Sequence, residues 1–220
     1  MTRLRVGVLI SGRGSNLQAL IDAAGDPAYP AEITVVISNR ADAQGLARAA
    51  AAGIPHRVIA ATDRGAFAAA ADRALRDSGV GLVALAGFMR LLDTGFVQGW
   101  ADRLINIHPS LLPAFPGLHP QRQALAAGVK FSGCTVHFVR DEVDTGPIIA
   151  QAAVPVRDGD DEDRLAERIL AAEHRLYPLA VRLFAEGRLR IDGNRVAAAG
   201  ATAPDIATIN PLDPLASDGG

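Results

Sequence analysis

Apolar runs bounded by turn residues alternate along the chain with alanine-rich stretches whose apolar positions recur three and four apart. In order these are RVGVLI, NLQALIDAAG, EITVVIS, AQGLARAAAAG, HRVIA, AFAAAADRALRDSG, GLVALAG and LINIH. Continuous apolar strands separated by helical stretches predict βαβ units, and therefore a parallel sheet with right-handed crossovers. The fold class is α/β: an open, Rossmann-like, mostly parallel sheet with helices on both faces.

After His119 the rhythm changes. FSGCTVHFVR and IIAQAAVPVR are joined by a short loop, which predicts antiparallel or mixed strands extending the sheet toward its C-terminal side. A long helix follows, opened by DGDDED, whose carboxylates suit the positive end of a helix macrodipole. Its apolar stripe of Leu165, Ile169, Leu176, Ala180 and Leu183 also carries Glu173. A carboxylate there needs a partner, so Glu173 lies either at the stripe's exposed edge or against a ligand hydroxyl. Residues 1–192 are expected to form one domain. From Gly193 onward Ala, Pro, Gly and Asp follow no period, and 193–220 reads as an extended tail.

Composition narrows the partners. Of 220 residues 49% are apolar, enough for one sizeable core, and 22 basic against 24 acidic residues leave a net charge of -2. That balance argues against nucleic acid and against an anionic membrane surface, and leaves a small molecule. Cys134 is the only cysteine, so an intramolecular disulfide and a cysteine-rich zinc site are both excluded; a small buried hydrophobe is its expected role. The longest apolar run, VGLVALAGFM, is too short to span a bilayer, and MTRLRVGVLISG lacks a full signal-peptide core. A cytoplasmic location is expected. Lys130 is the only lysine, and no G-K-[ST], G-x-S-x-G or H-E-x-x-H motif occurs.

Three places carry chemistry. GVLISGRGSNLQAL is a strand, a glycine turn and a helix start, with Ser15 or Asn16 suited to the N-cap; free backbone N–H groups there form an anion site. Leu17 replaces the third glycine of a dinucleotide fingerprint, and Asn39 and Arg40 stand where a ribose-binding acid is wanted, so a phosphomonoester fits better than NAD. LINIHPS places Asn106 and His108 two apart, on one face of a strand's carboxyl end, where ligands bind in open α/β sheets. RDEVDTGPII supplies Asp144 in a Gly-Pro turn: either a local Asx-turn, or a carboxylate that reaches the histidine.

Taken together, ISGRGSNLQAL, SNRADAQGL, LAGFMRLL, INIHPSLLPAFPGLH, RQAL, GCTVHFV, DTGPII and EHRLYP resemble the phosphoribosylglycinamide formyltransferases, folate-dependent enzymes of de novo purine synthesis. The similarity runs in order from about residue 5 to about residue 192. It implies the formyltransferase fold, with a phosphate-binding half over 1–100 and a folate and catalytic half over 101–192. It also implies formyl transfer from 10-formyltetrahydrofolate, as co-substrate and without a metal, to the amine of N1-(5-phosphoribosyl)glycinamide. On this resemblance Asn106, His108 and Asp144 are the catalytic set. Gly14, Ser15 and Asn16 hold the phosphate, Pro109 lines the acceptor site, and Glu173 binds the ribose hydroxyls. Arg64, the run Met89, Arg90, Leu91 and Leu92, and the loop Arg140, Asp141, Glu142 and Val143 contact the folate.

The family's pattern often has a basic residue at Ala114, a histidine at Gln121, and glutamine near Leu170 and Ala172; these departures bear on phosphate contact and loop movement rather than on the reaction. The implied mechanism is direct. The amine attacks the formyl carbon, His108 as imidazolium and the Asn106 amide stabilise the tetrahedral oxyanion, and Asp144 keeps His108 charged and positions a water that relays the proton. The prolines Pro109, Pro113 and Pro116 are expected to keep the cleft floor ordered, with Gly117 allowing the loop beyond to shift. A homodimer is compatible with the resemblance. The alternatives are a formyltetrahydrofolate hydrolase, expected to carry a regulatory domain ahead of the strand that here begins at Arg5, a methionyl-tRNA formyltransferase, expected to carry a basic C-terminal domain, and a non-catalytic nucleotide-binding module.

Overall fold

The computed structural model describes residues 2–205 and 208–210. The continuous apolar runs become five parallel strands: β1 (Leu4–Ile10), β2 (Ala31–Ser38), β3 (His56–Val58), β4 (Leu82–Leu85) and β5 (Leu104–His108). Two antiparallel strands, β6 (Phe131–Phe138) and β7 (Ile148–Pro155), extend them, and the sheet runs β3-β2-β1-β4-β5-β6-β7. The open, mixed sheet expected from the sequence is therefore present.

The helices are α1 (Ser15–Ala24), α2 (Gly45–Ala51), α3 (Arg64–Asp77), α4 (Thr94–Gly99), α5 (Pro120–Ala126) and α6 (Glu162–Ala185). Successive strand residues feed opposite cores, as the pleat requires. Val8 and Ile10 of β1 join Leu17 of α1 and Leu165, Ile169 and Tyr177 of α6 on one face. Leu9 between them joins Phe67 and Leu75 of α3, Phe96 of α4 and Trp100 on the other. Each fully buried aliphatic or aromatic side chain here contributes roughly 1.5–3 kcal/mol.

The N-terminus of α6 follows the dipole argument. Asp161 caps it by accepting from the Arg164 N–H at 2.8 Å, and Glu162 and Asp163 occupy its first turn. Every residue of the expected stripe is buried, Glu173 included. No helix among the described residues is long and apolar enough to cross a membrane.

The tail expectation is corrected at its start. Residues 193–198 are not extended tail: β8 (Leu189–Asp192) turns at Gly193, which adopts φ 57°, and pairs with β9 (Arg195–Ala198) in an antiparallel hairpin. Asp-Gly-Asn at 192–194 is a turn signal, and RVAA after it is a strand too short to show a period. Farther along, the Asn210 amide donates to the Lys130 and Val156 carbonyls, so this part of the tail lies against the ends of β6 and β7. The remaining tail positions, 206–207 and 211–220, lie outside the described residues.

Because β1 pairs with β2 on one side and β4 on the other, the chain leaves β1 and β4 in opposite directions. The carboxyl ends of these strands part into a crevice, the usual ligand position in open α/β sheets.

Candidate active site

Asn106 and His108 end β5 on one face, with Ile107 between them facing the α1/α6 core. Antiparallel pairing sets His137 directly opposite Asn106 and Thr135 opposite His108. The β6–β7 loop then returns tightly, with the Phe138 N–H donating to the Pro147 carbonyl at 2.9 Å. A Cβ on Gly146 would stand 1.7 Å from the Phe138 carbonyl oxygen, so this return requires glycine. It carries Asp144, at φ 57°, back over the end of β5.

The acid meets the histidine. Asp144 Oδ2 lies 3.3 Å from His108 Nδ1, with both side chains more than 90% buried, and the same oxygen accepts from the Gly117 N–H at 2.8 Å. On the other side of the ring, His108 Nε2 is 2.9 Å from the Phe115 carbonyl. A carbonyl and a carboxylate can only accept, so an imidazolium with both N–H groups satisfies both partners. The sequence left Asp144 either in a local Asx-turn or reaching the histidine, and the carboxylate reaches it.

His137 was not foreseen. It is 2% exposed and burial pushes its pKa down, which favours the neutral ring. Its Nδ1 donates to the Phe138 carbonyl at 2.9 Å, which leaves the Nε2 lone pair to accept from Asn106 Nδ2 at 3.3 Å. The Asn106 amide is thereby turned a fixed way. Asp144 Oδ1, 3.7 Å from His137 Nε2, faces an acceptor and makes no bond with it. Only the alternation of Thr135 and His137 along FSGCTVHFV hinted at a shared face; the register opposite Asn106 is tertiary.

Beside this cluster lies a cleft of about 800 Å³. It is lined by Gly14, Ser15 and Asn16, by Pro109 after β5, by Glu173 of α6 and by Met89, so the whole expected acceptor-site set converges on it. Ile107 and Pro109 line it while Asn106 and His108 alternate with them, so the strand end joins the cleft and the polar cluster.

The capping expectation is corrected. Gly14, at φ 72°, is the N-cap of α1, no side chain caps the helix, and Ser15 is its first residue. Asn16 points elsewhere: its Nδ2 donates to Glu173 Oε2 at 2.8 Å. That bond supplies the partner Glu173 needed, yet burial still pushes its carboxyl up to about 7. Neither exposure at the stripe's edge nor a ligand is required to explain its place.

The residues expected at the folate lie apart from this cleft, Met89 excepted. Leu91 and Val143 are more than half exposed, Leu92 packs on the α3/α4 core, and Arg64 opens α3 at the surface. The Arg90 guanidinium is spent within the fold, donating to the Ala61 and Thr62 carbonyls and stacking on Phe67. Arg140 pairs with Asp102 at 2.6 Å, Asp141 accepts from Gln98 at 3.1 Å, and the Glu142 carbonyl accepts from Thr145. Of the departures, Gln121 and Leu170 line the cleft, Ala114 sits exposed in the proline loop, and Ala172 packs on the α1/α6 core. Cys134 is a buried thiol pushed up to about 12, as its apolar strand implied.

An open sheet with a carboxamide, an imidazole and a carboxylate gathered at its strand ends, beside a cleft that begins at a helix N-terminus, has the make-up of an enzyme site able to stabilise an oxyanion and move a proton. The model of the formyl transferase family matches residues 4–181, and the chain belongs to that family. It is 48% identical over 194 residues to the phosphoribosylglycinamide formyltransferase of Escherichia coli (strain K12), covering 87% of this chain and 92% of that protein. It is 58% identical over 193 residues to the trifunctional purine biosynthetic protein adenosine-3 of Drosophila pseudoobscura pseudoobscura, covering 86% of this chain but spanning only 14% of that longer protein. The crystal structure of glycinamide ribonucleotide transformylase 1 from Symbiobacterium toebii superposes with a TM-score of 0.86 at 56% identity, covering 89% of this chain and 94% of that one.

Proposed function

We propose that the chain transfers the formyl group of 10-formyltetrahydrofolate directly to the amine of N1-(5-phosphoribosyl)glycinamide. The observation that carries this reading is the buried contact of Asp144 with His108, 3.3 Å apart at the end of the strand whose Ile107 and Pro109 line the cleft that starts at the first turn of α1. Family membership supports the chemistry, and the phosphate-suited helix start supports the acceptor.

The amine, held in contact with the formyl carbon, attacks as a neutral nucleophile; proximity removes part of the barrier. Charge then develops on the formyl oxygen. The Phe115 carbonyl occupies Nε2–H, so the Nδ1 edge of His108, 3.3 Å from Asp144 Oδ2, is the one left to face the oxyanion. Asn106 supplies the second donor, its amide oriented by His137. Asp144 compensates the imidazolium and positions the water that carries the amine proton toward the departing folate nitrogen. No acyl group is attached to the protein. Gly14, Ser15 and Asn16 hold the phosphate and Glu173 receives the ribose hydroxyls. The 89–92 and 140–143 segments form the folate site, contributing backbone groups and the apolar surface of Met89, Leu91 and Val143, since Arg90 and Arg140 are already paired. A single buried thiol suits a reducing compartment such as the cytoplasm.

Purified protein supplied with both substrates, without added metal, is expected to form formylated ribonucleotide and free tetrahydrofolate in equal amounts. Tetrahydrofolate released without formylated acceptor would point to hydrolysis, and no turnover would overturn the reading.

A further inference from the structure

We infer that Arg13 is the residue that selects a phosphorylated acceptor over its uncharged counterpart. This rests on the function proposed above and goes beyond the Gly14–Asn16 cradle, which binds anions through backbone groups.

Two observations hold the loop carrying Arg13 rigid. The Gly45 N–H donates to the Gly12 carbonyl at 3.0 Å, and a Cβ on Gly14 would stand 2.6 Å from the Gly45 Cα, so loop and α2 are in backbone contact. Arg48 then donates to the Arg13 carbonyl at 3.0 Å and to Gln18 Oε1 at 3.2 Å. The backbone of Arg13 is pinned; the residue lines the cleft, and its exposed side chain makes no ion pair or hydrogen bond among the described residues.

The surroundings give that charge its meaning. Arg40 also lines the cleft, but its guanidinium is bidentate on Asp42, at 3.0 and 2.7 Å. The facing wall from α6 presents Asp163, Glu167 and Glu173. An incoming phosphate dianion therefore meets three carboxyl groups, and of the two arginines lining the cleft Arg13 is the one without a carboxylate partner among the described residues. Behind it, the first intrahelical bond of α1 is Gln18 N–H to the Gly14 carbonyl, which leaves the Ser15, Asn16 and Leu17 N–H groups free. Asn16, 8% exposed, adds a buried Oδ1 with no partner, a polar atom of the cleft wall left for a ligand. The N–H groups donate to any anion or polar oxygen. Arg13 discriminates by charge, because its attraction to a dianion acts before contact and vanishes for a neutral acceptor.

The test compares Arg13→Gln, which keeps length and hydrogen bonding but removes the charge, with Arg13→Lys. The wild type and both variants are assayed for kcat, for KM of each substrate, and for competitive inhibition by inorganic phosphate, at low and at physiological ionic strength. In Arg13→Gln the acceptor KM is expected to rise about tenfold at low salt and phosphate inhibition to weaken by a similar factor, the size of one charge-assisted contact. Turnover and the folate KM stay as in the wild type, the effect shrinks with added salt, and Arg13→Lys recovers most of it. Acceptor KM and phosphate inhibition within twofold of wild type would overturn the inference, and so would an equal loss in kcat and in both KM values, which marks a distorted loop. If the wild type does not formylate the ribonucleotide, the functional reading fails by itself. Calorimetric binding of inorganic phosphate to wild type and Arg13→Gln then still decides the role of Arg13.

Discussion

At the scale of single residues, Glu173 shows how far a pattern carries. A carboxylate on an apolar stripe was legible from spacing alone, and so was its need of a partner; that the partner is Asn16, 157 positions away, is a product of α1 packing on α6. Burial outweighs that one hydrogen bond and lifts the carboxyl from 4.5 to about 7. The native state then binds more protons than the unfolded chain between about pH 4.5 and 7. Stability therefore falls as pH rises through that window and levels off above it, by on the order of 3 kcal/mol. Glu173→Gln keeps an acceptor for Asn16 and removes the ionisation. Urea unfolding should find the variant more stable than wild type by about 1–3 kcal/mol at pH 8 and equal to it at pH 4, while its acceptor KM rises. A stability difference independent of pH would contradict this. His137 is the opposite case: nothing in its neighbours' chemistry marks it, and only pairing across two strands brings it to Asn106.

Among the elements, the loop after β5 links sequence most directly to site. Its prolines announced a fixed backbone, and side chains complete the fixing. Thr135 Oγ1 donates to the Ser110 carbonyl at 2.7 Å and accepts from the Leu112 N–H at 3.0 Å, while Gln151 Nε2 donates to the Leu112 carbonyl at 2.9 Å. The loop so held presents the Phe115 carbonyl to His108 and the Gly117 N–H to Asp144. Thr135→Val keeps the shape and deletes the hydroxyl, leaving two buried backbone groups short of partners. Chemical denaturation should show a loss of about 1–3 kcal/mol; kcat should fall about tenfold, with both KM values little changed, because the loop orients His108 rather than the substrates. Unchanged kcat would place the catalytic ring outside the loop's influence. Two element-level expectations failed for local reasons: Gly14 in the left-handed region took the N-cap from Ser15 and Asn16, and a short hairpin occupied what looked like featureless tail.

For the molecule as a whole, alternation of buried strands and amphipathic helices was enough to foresee a parallel sheet with an antiparallel edge, since each period reports local geometry. Convergence was not foreseeable on those terms. Asn106 and His108 could be placed at a strand end, but Asp144 reaches them only because Gly146 lets the β6–β7 return press against Phe138, and Glu173 joins Asn16 only across the packed helices. The resemblance carried by NIHPSLLP and DTGP supplied what periodicity lacked, and it did so residue by residue. It could not foresee that Arg90 and Arg140 are already paired within the fold.

The central claim is that the Asn106 amide and the His108 imidazolium hold the charge of the transferring formyl group. Single-turnover rates at saturating concentrations of both substrates test it most directly. Asn106→Ala is expected to lose on the order of 100- to 1,000-fold and His108→Ala on the order of 100- to 10,000-fold, with folding unaltered by far-ultraviolet circular dichroism. Near-wild-type rates in both variants would contradict it.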